Sequence, residues 1–253
     1  MWMRCKAYSK NVLQHGKMYL CIAMPHAHVH CKAFFDELKV EPLYVPPVLK
    51  DKLNIEELTE LGIVAPISTW KRRTPLPAAG KSFEIACALS HLRACHMIVQ
   101  SGSNFAFVFE DDNITSPTCV DRFASLVDWA KQNYNSFNVI NVSPCNSLHM
   151  CNGILPGTQG CTNAILYSQQ GAQFVVDNML PVCSPIDDWL HLTVPNAYCI
   201  HKRIFCQSDA SATGIVSILN PMFCKYERLV NVHSLFVLSV VVGGVACICS
   251  YIW

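Results

Sequence analysis

The stretch "FAFVFEDDN", Phe105–Asn113, constrains the fold more than any other, because five apolar residues run directly into three adjacent carboxylates. In a strand, Phe105, Phe107 and Phe109 face one side and Ala106 and Val108 the other. Apolar side chains on both faces predict a strand covered on both faces, as in the middle of an α/β sheet. Such a strand ends at the carboxyl edge of the sheet, where open α/β folds bind their ligands. Glu110, Asp111 and Asp112 are therefore expected at the rim of a pocket. Like charges so close repel unless a cation joins them, and a hard divalent cation with oxygen ligands fits.

Further strand-like runs are read at Met18–Met24, Phe137–Val142 and Asn163–Tyr167, with a weaker one at Ala197–Phe205. "MYLCIAMP", Met18–Pro25, is too short to span a membrane and is read as the first strand, not a signal-peptide core. Between the strands lie helical patterns. From Glu84, the positions Cys87, Ala88, Leu92, Cys95, Ile98 and Val99 recur at helical spacing with His91 on the same stripe. Ser116 and Pro117 suit the start of a helix through Val120, Phe123, Leu126, Val127 and Ala130. Gln169–Leu180 reads as another helix, halted by Pro181. The segment Glu41–Pro77 has no strong period and is read as loops with a short helix at Ile55–Leu61. Alternating strands and helices predict an α/β sandwich with a mostly parallel sheet, one domain through about Tyr226.

The chain is 51% hydrophobic and 15% charged, with a net charge of +1. Its only basic run is Lys71, Arg72 and Arg73, so no nucleic-acid partner is expected. The fifteen cysteines are scattered, several inside apolar runs, and most are read as small buried hydrophobes in a reducing compartment. "LFVLSVVVGGVACICSYIW", Leu235–Trp253, carries no charge and is about long enough to span a bilayer. It is read as a C-terminal transmembrane anchor after a linker at 227–234, with a buried terminal helix as the alternative. Lys225 and Arg228 before it place the preceding domain on the cytoplasmic side.

Three stretches then read together. "FEIACALSHLRAC" (Phe83–Cys95) precedes the Glu-Asp-Asp strand, and "TNAILYSQQGAQFVV…SPIDDWL" (Thr162–Leu190) follows it. Their order and spacing resemble glycosyltransferase family 25, the lipooligosaccharide and procollagen galactosyltransferase group. That family has a Glu-Ile-Gly-Cys-x-x-Ser-His helix, a strand ending in Glu-Asp-Asp, a strand–Ser-x-x-Gly-Ala helix and a Pro-Val-Asp-Asp-like turn. "IFCQSDASATGI" (Ile204–Ile215) resembles its closing stretch, so the likeness covers roughly Lys17 to Ile215. The resemblance implies a GT-A-type, Rossmann-like fold and inverting transfer of a hexose from a nucleotide sugar, usually UDP-galactose, with manganese(II). The acceptor would be a glycan, a lipid-linked sugar or a protein.

By that resemblance Asp112 ligates the metal with Glu110, and Glu110 contacts the ribose or a metal-bound water. Strand alternation would send Glu110 and Asp112 into one site and Asp111 elsewhere, while the family reading keeps Asp111 among the donor contacts. Inversion needs a base for the acceptor hydroxyl. Asp187 and Asp188 are the candidates, with Asp188 preferred, on what reads as a loop after Pro181 and Pro185; a helix N-cap is their alternative role. Trp189 is placed to stack on a sugar face. Glu84 and His91, two turns apart on one helix side, are assigned to the donor or acceptor pocket, and Gln207 to a substrate contact.

One place departs from the family. Where its members carry Asn-Leu and paired arginines for the nucleotide, this chain reads "CIAMPHAHVHCKAF", with Ala23 and Met24 in the polar positions. His26, His28 and His30 would share one face of an extended segment. They could hold zinc or copper, or hydrogen-bond a phosphate in place of arginine. "CNSLHMC" (Cys145–Cys151), with His149, is read as an acceptor loop. Three functions follow: an active membrane-anchored transferase, a catalytically degenerate sugar- or partner-binding relative, and a tethered structural protein with a histidine metal site.

Overall fold

A computed structural model describes residues 16–70, 81–115, 118–144, 154–156, 161–200 and 204–207, with the backbone alone at 154–156 and 206–207. Outside these lie the 71–73 basic run, Ser116 and Pro117, the Cys145–Cys151 loop, the 208–215 part of the last motif, and the 227–234 linker and 235–253 segment. Among the described residues no helix is long and apolar enough to cross a membrane.

The fold is α/β. Among the described residues nine strands occur, in chain order: β1 Lys17–Ile22, β2 Leu43–Val45, β3 Phe105–Glu110, β4 Asn113–Ile114, β5 Val139–Asn141, β6 Ile154–Pro156, β7 Ala164–Ser168, β8 Ala197–Ile200 and β9 Cys206–Gln207. The helices are α1 His28–Leu38, α2 Ile55–Glu60, α3 Lys81–Ser101, α4 Cys119–Asn133, α5 Gln169–Asn178 and α6 Ile186–Thr193. Seven strands form one sheet in the order β2-β1-β3-β7-β5-β8-β6. β1, β2, β3, β5 and β8 run one way and β6 and β7 the other. The sheet is thus mixed but mostly parallel.

β3 lies between β1 and β7 and is covered on both faces, as its sequence predicts. Phe107 and Phe109 meet Phe123 of α4 on one face, and Phe34 and Phe35 of α1 pack edge-on against Phe109. Ala106 and Val108 face the other layer, where Ile85, Leu92 and Ile98 of α3 join Ala172 and Val175 of α5 and Trp189 and Leu190 of α6. α5 sits close to the sheet because Gly171 has no side chain: a Cβ there would come within 1.9 Å of the Asn138 carbonyl oxygen. Ser168 caps the same helix by accepting from the Gly171 N–H.

In the N-terminal part, two segments differ from the sequence reading. Residues 25–38 are helical: a 3-10 turn at Pro25–Ala27 leads into α1. Proline at the first position favours a helix start, and the His-x-His-x-His alternation is a coincidence with strand period. Residues 43–45, within the supposed loops, add β2 to the sheet edge beside β1. The chain beyond is pinned to α3. Ser90 Oγ accepts from the Val48 N–H at 2.8 Å and donates to the Ala86 carbonyl at 2.7 Å, while Arg93 donates to the Pro46 carbonyl.

Candidate functional site

The chain leaves β1 for β2 on one side and later returns to β3 on the other, so the strand order reverses between β1 and β3. Such a switch point opens a ligand crevice at the carboxyl ends of the strands. The register pairs Ile22 with Glu110, which puts the end of β1 beside the acidic turn. β3 stops at Glu110, and Asp111 and Asp112 form a turn into β4. The two-residue alternation therefore stops at Glu110 and does not carry through to Asp112, so a shared strand face for the two no longer follows from it. Glu110 and Asp111 have different partners.

Glu110 points to the α3 side of the sheet. Its Oε1 accepts from Thr162 Oγ1 at 2.7 Å and from His91 Nε2 at 3.1 Å, with the Cys87 thiol at 3.6 Å. His91 is fully buried, and its Nδ1 lies 3.2 Å from the Tyr167 hydroxyl. An ionised carboxylate only accepts, so in a neutral ring Nε2 carries the proton and Nδ1 accepts from Tyr167. Burial alone would raise the Glu110 pKa. The hydrogen bond and charge of His91, with the Thr162 and Cys87 bonds, outweigh it and hold the carboxyl below its usual range. The Cys87 thiol is pushed well up, by burial first and then by the Glu110 charge. The ligand atoms of Cys87, His91 and Glu110 all lie within 4.8 Å of one another, the one such metal-competent group among the described residues.

Asp111 turns towards β1, where its Oδ2 accepts from the Met24 N–H at 3.2 Å. Burial raises its pKa, against the lowering effect of that bond. Asp112 is 4% exposed. Asn113 locks the turn: its Nδ2 donates to the Glu110 and Asn163 carbonyls, and its Oδ1 accepts from Asn163 Nδ2 at 2.9 Å. β4 pairs with β9, which sets Gln207 opposite Asn113. Gln207 is thus brought to the acidic turn at the level of the backbone.

The three N-terminal histidines do not share a face. Residues two apart on a helix lie about 200° around its axis, and the structure separates their contacts. His28 stacks on Tyr44, and His30 Nε2 donates to the Asn113 carbonyl at 3.1 Å. His26 lies in the preceding 3-10 turn.

Asp187 and Asp188 occupy the first turn of α6, not a loop, and the N-cap is Pro185. Acidic side chains there are favoured by the helix dipole. Asp187 is half-buried and accepts from the Asp188 N–H at 2.9 Å, while Asp188 is buried. α6 packs against α3, the helix that carries Cys87 and His91. Trp189 is corrected: it is 4% exposed, packs near Phe174 and belongs to the core, so no sugar can stack on it. Glu84, in the first turn of α3, is buried, and the structure joins His91 to Glu110 and Tyr167.

A hard cation such as manganese prefers carboxylate and carbonyl oxygens. The Asp111–Asp112 turn offers that chemistry, whereas the Oε1 of Glu110 is occupied by three donors. The sequence reading missed Thr162, Asn113, Asn163 and Tyr167. The first three stand beside the quoted motif residues, in "EDDN" and "TNA", and that adjacency was the available signal. Comparison with protein families and with curated proteins finds no match to this chain, so the likeness to glycosyltransferase family 25 rests on its motifs alone.

Proposed function

We propose that the chain is a metal-dependent, inverting glycosyltransferase of GT-A type that moves a hexose, galactose from UDP-galactose by the family resemblance, to a glycan, lipid-linked or protein acceptor. The observation that carries this reading is the Glu-Asp-Asp turn at the carboxyl end of β3, next to the end of β1 where the strand order reverses. Asp112, with Asp111 beside it, would hold manganese(II). The bound cation supplies positive charge against the diphosphate leaving group. Glu110 stays ionised under His91 and Thr162 and keeps the end of β3 fixed. Asp187 is the better-exposed base, in place of the buried Asp188 that the sequence reading preferred. Its carboxylate takes the proton of the acceptor hydroxyl as that oxygen attacks the anomeric carbon opposite the leaving group. The proposal includes the 235–253 anchor with the domain on the cytoplasmic side.

The test is UDP release from UDP-galactose and a panel of other donors by the purified chain with manganese, beside Asp112→Ala, Asp187→Asn and Asp188→Asn. Manganese-dependent release that Asp112→Ala abolishes supports the transferase. A second reading, a degenerate binder, is favoured by Ala23 and Met24 where the family has its polar nucleotide contacts, with the Met24 N–H taken by Asp111. Folded protein that releases nothing from any donor selects that reading.

A further inference from the structure

We infer that Cys87, His91 and Glu110 form a binding site for a borderline divalent cation, zinc above all, separate from the oxygen-donor turn at Asp111 and Asp112. Cys87 and His91 stand four residues apart on α3, so both side chains leave the same helix face. Glu110 reaches them from the end of β3. One sulfur, one imidazole nitrogen and one carboxylate oxygen make the mixed donor set of a three-ligand zinc site with an open fourth position.

The distances suit that chemistry. Donors bound tetrahedrally to zinc at ~2.0–2.3 Å lie ~3.3–3.7 Å apart. Here Sγ of Cys87 is 3.6 Å from Oε1 of Glu110, inside that range, and Nε2 of His91 is 3.1 Å from it, a little closer than a bound ion would hold it. The supporting groups of a zinc site are also present. Ligating histidines are oriented through their second nitrogen, and Nδ1 of His91 meets the Tyr167 hydroxyl. Thr162 fixes the Glu110 carboxylate. Cys87 is half-buried and the Glu110 side chain is 19% exposed, which leaves a way in for the ion and a water or substrate oxygen as fourth ligand.

Without the ion these atoms hydrogen-bond one another. When zinc binds, the Cys87 thiol proton leaves to solvent. The His91 proton moves from Nε2 to Nδ1, where it is donated to the Tyr167 oxygen. Manganese, which prefers oxygen, is a poor occupant. The site needs no nucleotide sugar, so it stands or falls independently of the transferase reading.

Cobalt(II) tests it, because thiolate ligation gives a charge-transfer absorption that oxygen and nitrogen ligands do not. The full chain, stripped of metal by a chelator, is titrated with cobalt and then zinc. One equivalent of cobalt should produce the thiolate band, and zinc but not manganese should erase it. Cys87→Ser should lose the band with an unchanged unfolding transition. Thr162→Val should weaken zinc about 10–100-fold, the usual effect of removing an outer-shell partner. Joint replacement of His26, His28 and His30 by alanine should leave the spectrum unchanged. Absence of the band in folded wild-type protein, or its persistence in Cys87→Ser, overturns the inference. If Cys87→Ser does not fold, alkylation of the wild-type chain decides: zinc should block modification of Cys87 while Cys183 still reacts. Equal alkylation of Cys87 with and without zinc refutes the site.

Discussion

Thr162→Val isolates one hydrogen bond at the centre of the candidate site. The hydroxyl donates to Glu110 Oε1 at 2.7 Å from a position 7% exposed to solvent, and valine keeps nearly the same shape. A bond to an ionised group contributes about 1.5–3 kcal/mol. The buried methyl that replaces the hydroxyl returns up to about 0.8 kcal/mol. The net destabilisation is about 1–2 kcal/mol, or a fall in Tm of about 2–8 °C for a domain of this size. The pH dependence follows from Glu110, whose folded pKa is held below its usual range. A depressed carboxylate contributes stability that is present above its unfolded pKa, about 4.3, and is lost as pH falls through the lower folded value. The wild-type–variant difference should therefore be flat from about pH 5 to 8 and shrink only below about pH 4.3. Denaturant unfolding of both proteins across that range is the assay. A difference under about 0.5 kcal/mol at neutral pH, or one that grows on acidification, would refute the account of the Glu110 cluster.

Gly171→Ala forces a Cβ against the Asn138 carbonyl, a backbone atom that cannot swing away. It should cost at least about 2 kcal/mol, and an unchanged melting temperature would show that α5 has room to lift. Tyr167→Phe should cost about 1–3 kcal/mol by leaving His91 Nδ1 without its donor. Combined with Thr162→Val it should be non-additive by about 0.5 kcal/mol or more, because both act on the His91–Glu110 pair; strict additivity in denaturant unfolding would argue against one connected network. Trp189→Ala should unfold or destabilise the chain by about 3–5 kcal/mol, as for any buried tryptophan. Trp189→Phe should keep the KM for a donor sugar, and a raised KM with unchanged stability would return Trp189 to the sugar site.

How much of this was written locally in the chain varies by element. β3 was legible because two-faced burial leaves apolar residues at every position from Phe105 to Phe109, and α3 because its stripe repeats over about four turns. The cues for α1 and α6 pointed the other way. Three histidines at alternate positions mimic strand period, and Pro185 read as a loop marker where it is the N-cap of a helix. β2 has three residues, too few to show a period, and is held by its pairing with β1. The Glu110 cluster was half legible. His91 and the acidic run stood out as motif residues, but the Thr162 and Tyr167 contacts join positions 52 and 76 residues apart. Local spacing carries no trace of such contacts. Neither could it reveal that the strand ends at Glu110, so that Glu110 meets His91 and Thr162 while Asp111 meets the Met24 N–H. The cysteines divide similarly. Cys21, Cys31, Cys87, Cys95, Cys183 and Cys199 are free thiols, as the scattered pattern suggested, whereas Cys161 is disulfide-bonded.

The central claim is that the turn at Asp111 and Asp112 holds a cation that carries a nucleotide diphosphate. Calorimetric titration of UDP into the purified chain, with manganese and again with a chelator, tests it directly. The account predicts binding at least about tenfold tighter with manganese, a difference of about 1.4 kcal/mol, and its disappearance in Asp112→Ala while Cys87→Ser retains it. UDP affinity that is the same with and without manganese, or no binding to folded protein, would contradict it.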